Sequence, residues 1–348
     1  MATSNIFYCL SNGLSQAFFI APAPLTERNL PDQTGRVFLI TGGYTGLGLA
    51  LSNILYGANG TVWLAGRNES KANAAISHLQ ATHPTSTGAL HFLSLDLSDL
   101  SSIKPAVQDF QRRNPSGKLH WLNNNAGIMV PPAGSRGRQG HDLTYVTNIY
   151  APFLLTTLLL PMLRHTAATE EAEPRRRGTV RVSWAGSAAS YLTPHVAGVA
   201  WEKDGKELAG ALADPQSTYG ISKAANWWLA VEFGRRFGDE DGVLHNSYNP
   251  GNLKTELQRT TKEVAGRIAH WFILNILCHP PVQGAYTELY AGLSQDLSLE
   301  KGDQGAWIVP WGQRSSMRPD MLAEAQKGED GVGGKLWRWC EEVVKEYM

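Results

Sequence analysis

The feature that most restricts how this chain can fold is Arg36 to Gly48, RVFLITGGYTGLG, where a short β-rich run passes directly into four glycines. The glycines permit a tight turn. Gly46 to Tyr56 then places Leu47, Ala50, Leu51, Ile54 and Leu55 at helical spacings. The next run, Gly60 to Ala65, carries Thr61, Val62 and Trp63 and forms a second strand candidate. The whole reads as a β-α-β unit whose glycine turn lets phosphate groups approach backbone amides at the positive end of a helix. The spacing is TGxxxGxG rather than GxGxxG.

Further strand candidates are Leu90 to Leu95, Leu119 to Leu122, Thr179 to Trp184, Val243 to Tyr248 and Ala306 to Val309, with helical material between them. Runs rich in β-branched residues, without clean polar alternation, predict strands covered on both faces. The alternation predicts an α/β fold: a doubly wound, mainly parallel sheet with helices on both faces. The domain begins near residue 36, so residues 1–35 read as an N-terminal arm packed on the surface. Residues 36–310 form the main domain and 311–348 a C-terminal extension. In that extension Leu336, Cys340, Val343 and Tyr347 recur near helical spacing, predicting an amphipathic helix.

Charge and apolar content narrow the function classes. Lys plus Arg (31) equals Asp plus Glu (31), so no net charge argues for a nucleic-acid partner. Cys9, Cys278 and Cys340 are far apart and odd in number, which fits a reducing, cytoplasmic setting. The longest apolar run, Tyr150 to Leu163, is about 14 residues against roughly 20 for a membrane span, and contains Pro152 and Pro161. It predicts a buried helix and no transmembrane segment; peripheral membrane association is the minor alternative. The N-terminus shows no basic region leading into an apolar stretch, so no signal peptide is expected.

Two groups of polar residues point to chemistry. In STYGISKAANWWLAVEF, Tyr219 and Lys223 are four residues apart, which puts a phenol and an ammonium on one helical face. A nearby positive charge favours phenolate and makes proton exchange practical near neutral pH. Ser183 and Ser187 both lie around the end of the strand candidate before that helix. No HExxH, CxxC or GxSxG motif supplies a competing metal or acyl-transfer site.

In their order along the chain these motifs resemble the short-chain dehydrogenase/reductase family over residues 36 to 310. The resemblance implies a Rossmann-like domain in which Thr41, Gly42, Thr45, Gly46, Leu47 and Gly48 form the turn that binds a dinucleotide pyrophosphate. It implies that Asp96 bonds near the adenine, and that Asn124-Asn125-Ala126-Gly127 is the central NNAG motif beside the cofactor. Asn148 matches the active-site asparagine, which supports a bound water and proton relay. Tyr219 and Lys223 match YxxxK, with roles in catalysis and in cofactor binding; Pro250, Gly251 and Thr255 match the segment over the nicotinamide. Matching Trp184 to the family's strand ending makes Ser187 the serine that faces the same oxygen as Tyr219 and completes the catalytic set; an earlier strand end favours Ser183.

Arg67, in Leu64-Ala65-Gly66-Arg67, stands where an acidic residue commonly binds an unphosphorylated ribose, and it favours NADP(H). The implied activity is NADP(H)-dependent reduction of a ketone or aldehyde, or the reverse alcohol oxidation, with Tyr219 moving the proton. The alternative is a noncatalytic NADP(H)-responsive interaction protein. The expected partner is a small carbonyl or alcohol, apolar or aromatic, and a homo-oligomer is compatible with the pattern. Tyr191, Leu192, His195, Val196 and Trp201 are candidate pocket residues, with Met129, Pro131 and Pro132 as a second wall. The apolar residues from Trp271 to Leu277 suggest a lid or a core helix. The chain looks like fungal enzymes related to retinol dehydrogenases, a likeness that does not make retinol the substrate.

Overall fold

The computed structural model describes residues 3–170, 177–203, 205, 207–254 and 278–348. Its strands are β1 (Val37–Thr41), β2 (Thr61–Gly66), β3 (Ala89–Ser94), β4 (Trp121–Asn124), β5 (Val180–Ala185), β6 (Val243–Tyr248), β7 (Ala306–Val309) and β8 (Gln313–Ser315). They form one sheet in the order β3-β2-β1-β4-β5-β6-β7-β8. Every pairing is parallel except that of β7 with β8. The order reverses between β1 and β4, the topological switch point where doubly wound sheets open a crevice at the carboxyl ends of their strands.

Helices among the described residues include α1 (Thr3–Phe18), α2 (Gly46–Gly57), α3 (Glu69–Thr82), α4 (Ile103–Arg113), α5 (Ala151–Thr169), α6 (Ala189–Leu192), α7 (Pro215–Phe233), α8 (Pro281–Leu293), α9 (Pro319–Ala325) and α10 (Val332–Val344). Alternation along β1 assigns them to layers. Val37 and Leu39 pack into a cluster with α4, α5, α7 and α10, whereas Phe38 and Ile40 face a second cluster with α2, α3 and α8. Both faces of the strand are therefore dry, as its uninterrupted apolar run predicts. Burying each such side chain contributes about 1.5–3 kcal/mol.

The apolar run near residue 150 is a core helix. In the continuous helical segment Leu143–Thr169, 78% of the most apolar window is buried inside the protein. The chain termini are tied to the main body. α10 buries Leu336, Trp337, Cys340 and Val344, and the Trp337 ring lies against Phe153 and Phe233. α1 buries Cys9 and Gln16, and the Tyr8 hydroxyl donates to the Ser316 carbonyl at 2.7 Å. The sheet continues beyond residue 310 through β8, whose residues Gln313, Arg314 and Ser315 carry no apolar signal.

Candidate active site

β1 ends at Thr41, and the chain turns through Gly42 (φ +69°) and Gly46 (φ +51°), a conformation that strains residues with a Cβ. α2 starts there. Its N-cap, Thr45, is extended and makes no side-chain capping bond, and the first amides of a helix have no carbonyl partner within it. A Cβ on Gly48 would stand 2.5 Å from the Gly42 carbonyl oxygen and 2.7 Å from Asn125 Nδ2, so only glycine lets the helix start this close. Asn125 Nδ2 donates to the Thr41 carbonyl at 2.7 Å, and Thr41 Oγ1 accepts from the Ala126 amide at 2.9 Å. These bonds join the glycine turn to the NNAG segment at the switch point. The result is a side-chain-free cradle at a positive helix end, which fits the diphosphate of a dinucleotide.

Arg67 lies just past β2 with 68% of its side chain exposed, and its guanidinium is 3.9 Å from Asp96. Tyr44, inside the glycine turn, holds this corner in place: its Oη accepts from the Asn68 amide at 3.0 Å, and its ring lies over Gly66. Asn68 caps α3 by accepting from the Lys71 amide. Asp96 accepts from both the amide and the hydroxyl of Ser98, at 2.9 and 2.6 Å, which fixes its carboxylate in a local turn at the edge of the cradle.

The second cluster gathers at the carboxyl end of β5. Lys223 Nζ donates to the Ala185 carbonyl at 2.8 Å, and Asn226 Nδ2 donates to the same oxygen at 2.8 Å. Lys223 Nζ also lies 5.7 Å from the centre of the Tyr219 ring. Ser187 lies within hydrogen-bonding reach of the Tyr219 side chain. Ser183 sits elsewhere: it is fully buried in the sheet, and its Oγ accepts from the Trp121 indole N–H at 3.0 Å. Alternation along β5 turns Ser183 into the core, whereas Ser187 follows the strand in a turn and accepts from the Ala189 amide.

Desolvation decides the charges. It lowers the Lys223 ammonium to about 8. It also pushes the Tyr219 phenol above its ordinary value, and the Ser187 hydrogen bond pulls it only partly back. The expectation that Lys223 lowers the tyrosine is thus not met by the protein alone. The lysine is spent on the Ala185 carbonyl and is itself destabilised as a cation by burial.

Asn148 lies in a π-turn, Val146–Tyr150, ahead of α5. Its Nδ2 donates to the Ile128 carbonyl at 3.1 Å and to Ser222 Oγ at 3.0 Å, and its Oδ1 accepts from the Ile128 amide at 2.9 Å. A Cβ on Gly127 would lie 3.2 Å from Asn148 Oδ1 and 3.3 Å from Lys223 Nζ. Gly127 is therefore the joint between cradle and cluster.

Pro250 and Gly251 follow β6, and Gly251 adopts φ +86° beside the Trp311 ring. Thr255 and the Trp271 to Leu277 run lie outside the described residues. Tyr191 does not line a pocket: it is 2% exposed, and its Oη accepts from the Trp307 indole at 2.7 Å. Leu192 and Val196, by contrast, are exposed. Trp201 packs beneath Lys335 of α10.

Two side chains without a motif of their own brace this region, Ser222 at Asn148 and Arg318 at the loop after Ser187. Ser222 links Asn148 to α7, accepting from Asn148 and donating to the Tyr219 carbonyl at 2.8 Å. Arg318, fully buried, donates to the carbonyls of Ser190, Thr193 and His195. A lone arginine 131 positions after Ser187 carries no local signal of that role.

A family model described as short chain dehydrogenase matches residues 36–170. A short-chain dehydrogenase/reductase of Phomopsis amygdali is 40% identical over 347 residues, covering 98% of this chain and 99% of the relative. Short-chain dehydrogenase/reductase pkfC of Emericella nidulans is 39% identical, covering 94% and 98%. Among solved structures, a short-chain type dehydrogenase/reductase from Mycobacterium marinum superposes with a TM-score of 0.60 at 18% identity, over 82% of this chain and 98% of that one. NADPH-bound carbonyl reductase from chicken fatty liver gives 0.54 at 23%, over 80% and 96%. These structural likenesses concern the fold. The full-length sequence relationships, together with the glycine cradle and the Tyr219–Lys223 pair, make this chain a member of the short-chain dehydrogenase/reductase family of oxidoreductases.

Proposed function

We propose that the protein interconverts a ketone or aldehyde and the corresponding alcohol with NADP(H), using Tyr219 as the proton-transfer group. The observation that carries this reading is the convergence of Ser187, Tyr219 and Lys223 at the carboxyl end of β5, beside the Gly127 joint to the cradle. Thr41, Gly42, Thr45, Gly46, Leu47 and Gly48 would hold the diphosphate, with Asn125, Ala126 and Gly127 shaping its far wall. Pro250, Gly251 and Thr255 would lie over the nicotinamide. When bound there, a reduced nicotinamide would supply the hydride that the carbonyl carbon takes up.

The chain's own groups handle the oxygen. Tyr219 is held as a neutral phenol by burial, which suits it to give its proton to the carbonyl oxygen as negative charge develops there. Ser187 stabilises the same oxygen by hydrogen bonding. Lys223 supplies positive charge next to the phenol, and Asn148 fixes the backbone at Ile128 beside it. In oxidation the phenolate accepts the alcohol proton. Arg67 selects NADP(H) because its exposed guanidinium, next to a single carboxylate, is available to the ribose 2′-phosphate.

The test follows NADPH oxidation over a panel of aromatic, aliphatic and cyclic carbonyls, with product identification. Tyr219→Phe is expected to lose about 10²–10⁴-fold in turnover while still binding NADPH. Unchanged turnover in that variant would remove the tyrosine from the mechanism. Arg67→Ala should weaken NADPH binding far more than NADH binding, and equal losses would rule out 2′-phosphate recognition.

A further inference from the structure

α1 lies outside the β-α-β core, yet it reaches the carboxyl ends of β5 and β6, where the candidate catalytic residues gather. Among the described side chains of α1, the Tyr8 ring packs edge-on against Tyr191, and Gln16, 7% exposed, makes polar contacts there. Its Nε2 donates to Tyr191 Oη at 3.3 Å, and its Oε1 accepts from Asn249 Nδ2 at 2.8 Å. Tyr191 belongs to α6, the turn that opens directly after Ser187, and its Oη also accepts from Trp307. Asn249 directly precedes Pro250, and its Oδ1 accepts from the Gly251 amide at 3.1 Å. One carboxamide thus spans the serine turn and the Pro-Gly turn.

We propose that Gln16 is a positioning residue for the reaction. Through it, α1 braces the Ser187–Leu192 turn against the Asn249–Gly251 turn and fixes the distance between the oxygen-binding group and the nicotinamide segment. A glutamine suits this task because it offers a donor to one loop and an acceptor to the other from the same planar group. Both partners are buried, so losing the carboxamide leaves Asn249 Nδ2 without its acceptor. The two turns are then free to shift, and a small misplacement near reacting atoms slows chemistry strongly. The catalytic part of this inference rests on the oxidoreductase reading above; the bracing part does not.

The experiment uses the full chain and Gln16→Met, which keeps side-chain volume and removes both hydrogen bonds. Tyr8→Phe is the control, since it loosens α1 at the Ser316 carbonyl without touching Gln16. In Gln16→Met, amide exchange in residues 187–192 and 246–251 is expected to rise about tenfold. kcat should fall about tenfold while the NADPH dissociation constant stays within about twofold. Gln16→Met combined with Asn249→Ala should cost less than the sum of the two single variants, because both break the Gln16–Asn249 bond, while the Tyr191 and Gly251 bonds are each lost in only one of them.

Wild-type exchange in both segments, additive effects in the double variant, or an equal response in Tyr8→Phe would each overturn the proposal. A wild-type protein that reduces no carbonyl would count against the proposed function. In that case the exchange and coupling measurements would still decide the bracing.

Discussion

Replacing Lys223 by methionine should make the protein more stable and less active. The ammonium is buried to 6% exposure and burial lowers it to about 8. Against an ordinary lysine value of 10.5 this gap corresponds to about 3 kcal/mol of folding free energy at neutral pH. Methionine removes that penalty and forfeits one hydrogen bond to the Ala185 carbonyl, a loss of about 1.5–3 kcal/mol for a charged donor. The carbonyl stays satisfied because Asn226 donates to it independently, which places the loss near the lower end.

The net expectation is a gain of about 1–2 kcal/mol at pH 7, or about 1–3 °C in Tm for a chain of this length. The sign has a pH signature. A lysine depressed in the folded state binds fewer protons there than when unfolded, so wild-type stability recovers as pH rises from about 8 to 10.5. The advantage of Lys223→Met should shrink over that window. Paired thermal and urea denaturations at pH 7, 8.5 and 10 measure both effects. A variant less stable than wild type at pH 7, or a difference that does not change with pH, would refute the reasoning.

Other consequences follow from the same geometry. Ser187→Ala should lower turnover about 10²–10³-fold in a carbonyl-reduction assay, because it removes the group beside the Tyr219 hydroxyl. Ser183→Ala should leave turnover near wild type and reduce stability by about 1–3 kcal/mol by orphaning the Trp121 indole N–H, measured by urea denaturation. Gly48→Ala should weaken dinucleotide binding at least about tenfold by titration, since its Cβ would meet the Gly42 carbonyl oxygen and push α2 off the turn. Glu288, fully buried, has Oε1 accepting from Asn123 Nδ2 and lying 2.7 Å from Tyr248 Oη, and desolvation raises its carboxyl to about 7. Its stabilising protonated form is fully present below about 4.5 and is lost as pH rises through 7. Glu288→Gln should therefore remove a slope of about 3 kcal/mol between pH 4.5 and 8, and parallel wild-type and variant stability profiles would count against this.

Sequence legibility followed the length scale of the interaction. β1 and β7 were readable as apolar runs, and β6, buried throughout although it carries His245, Asn246 and Ser247, falls with β7 on its expected ends. β4 is displaced by two residues, to Trp121–Asn124, since His120 bonds its ring Nδ1 to the Val37 amide before the ladder begins. β8 is polar and antiparallel, held by pairing with β7 along the chain's return, and its composition does not mark it as a strand.

The site divides in the same way. Helical spacing of four residues is enough to bring Tyr219 and Lys223 together, and a glycine turn between a strand and a helix is a local property of the chain. The choice between Ser183 and Ser187 turned on where β5 stops, and the strand's continuation to Ala185 puts the two serines in different environments. What periodicity does not report is the set of single polar side chains that cross the fold. Gln16 to Asn249, Arg318 to the loop after Ser187, and Glu288 to Asn123 are each separated by more than a hundred residues. Each is a buried polar group that must find a partner, and the sheet topology supplies it. Such groups bring together turns that the parallel strands only place near one another, so the chemistry of this site depends on residues whose importance is set by the three-dimensional arrangement.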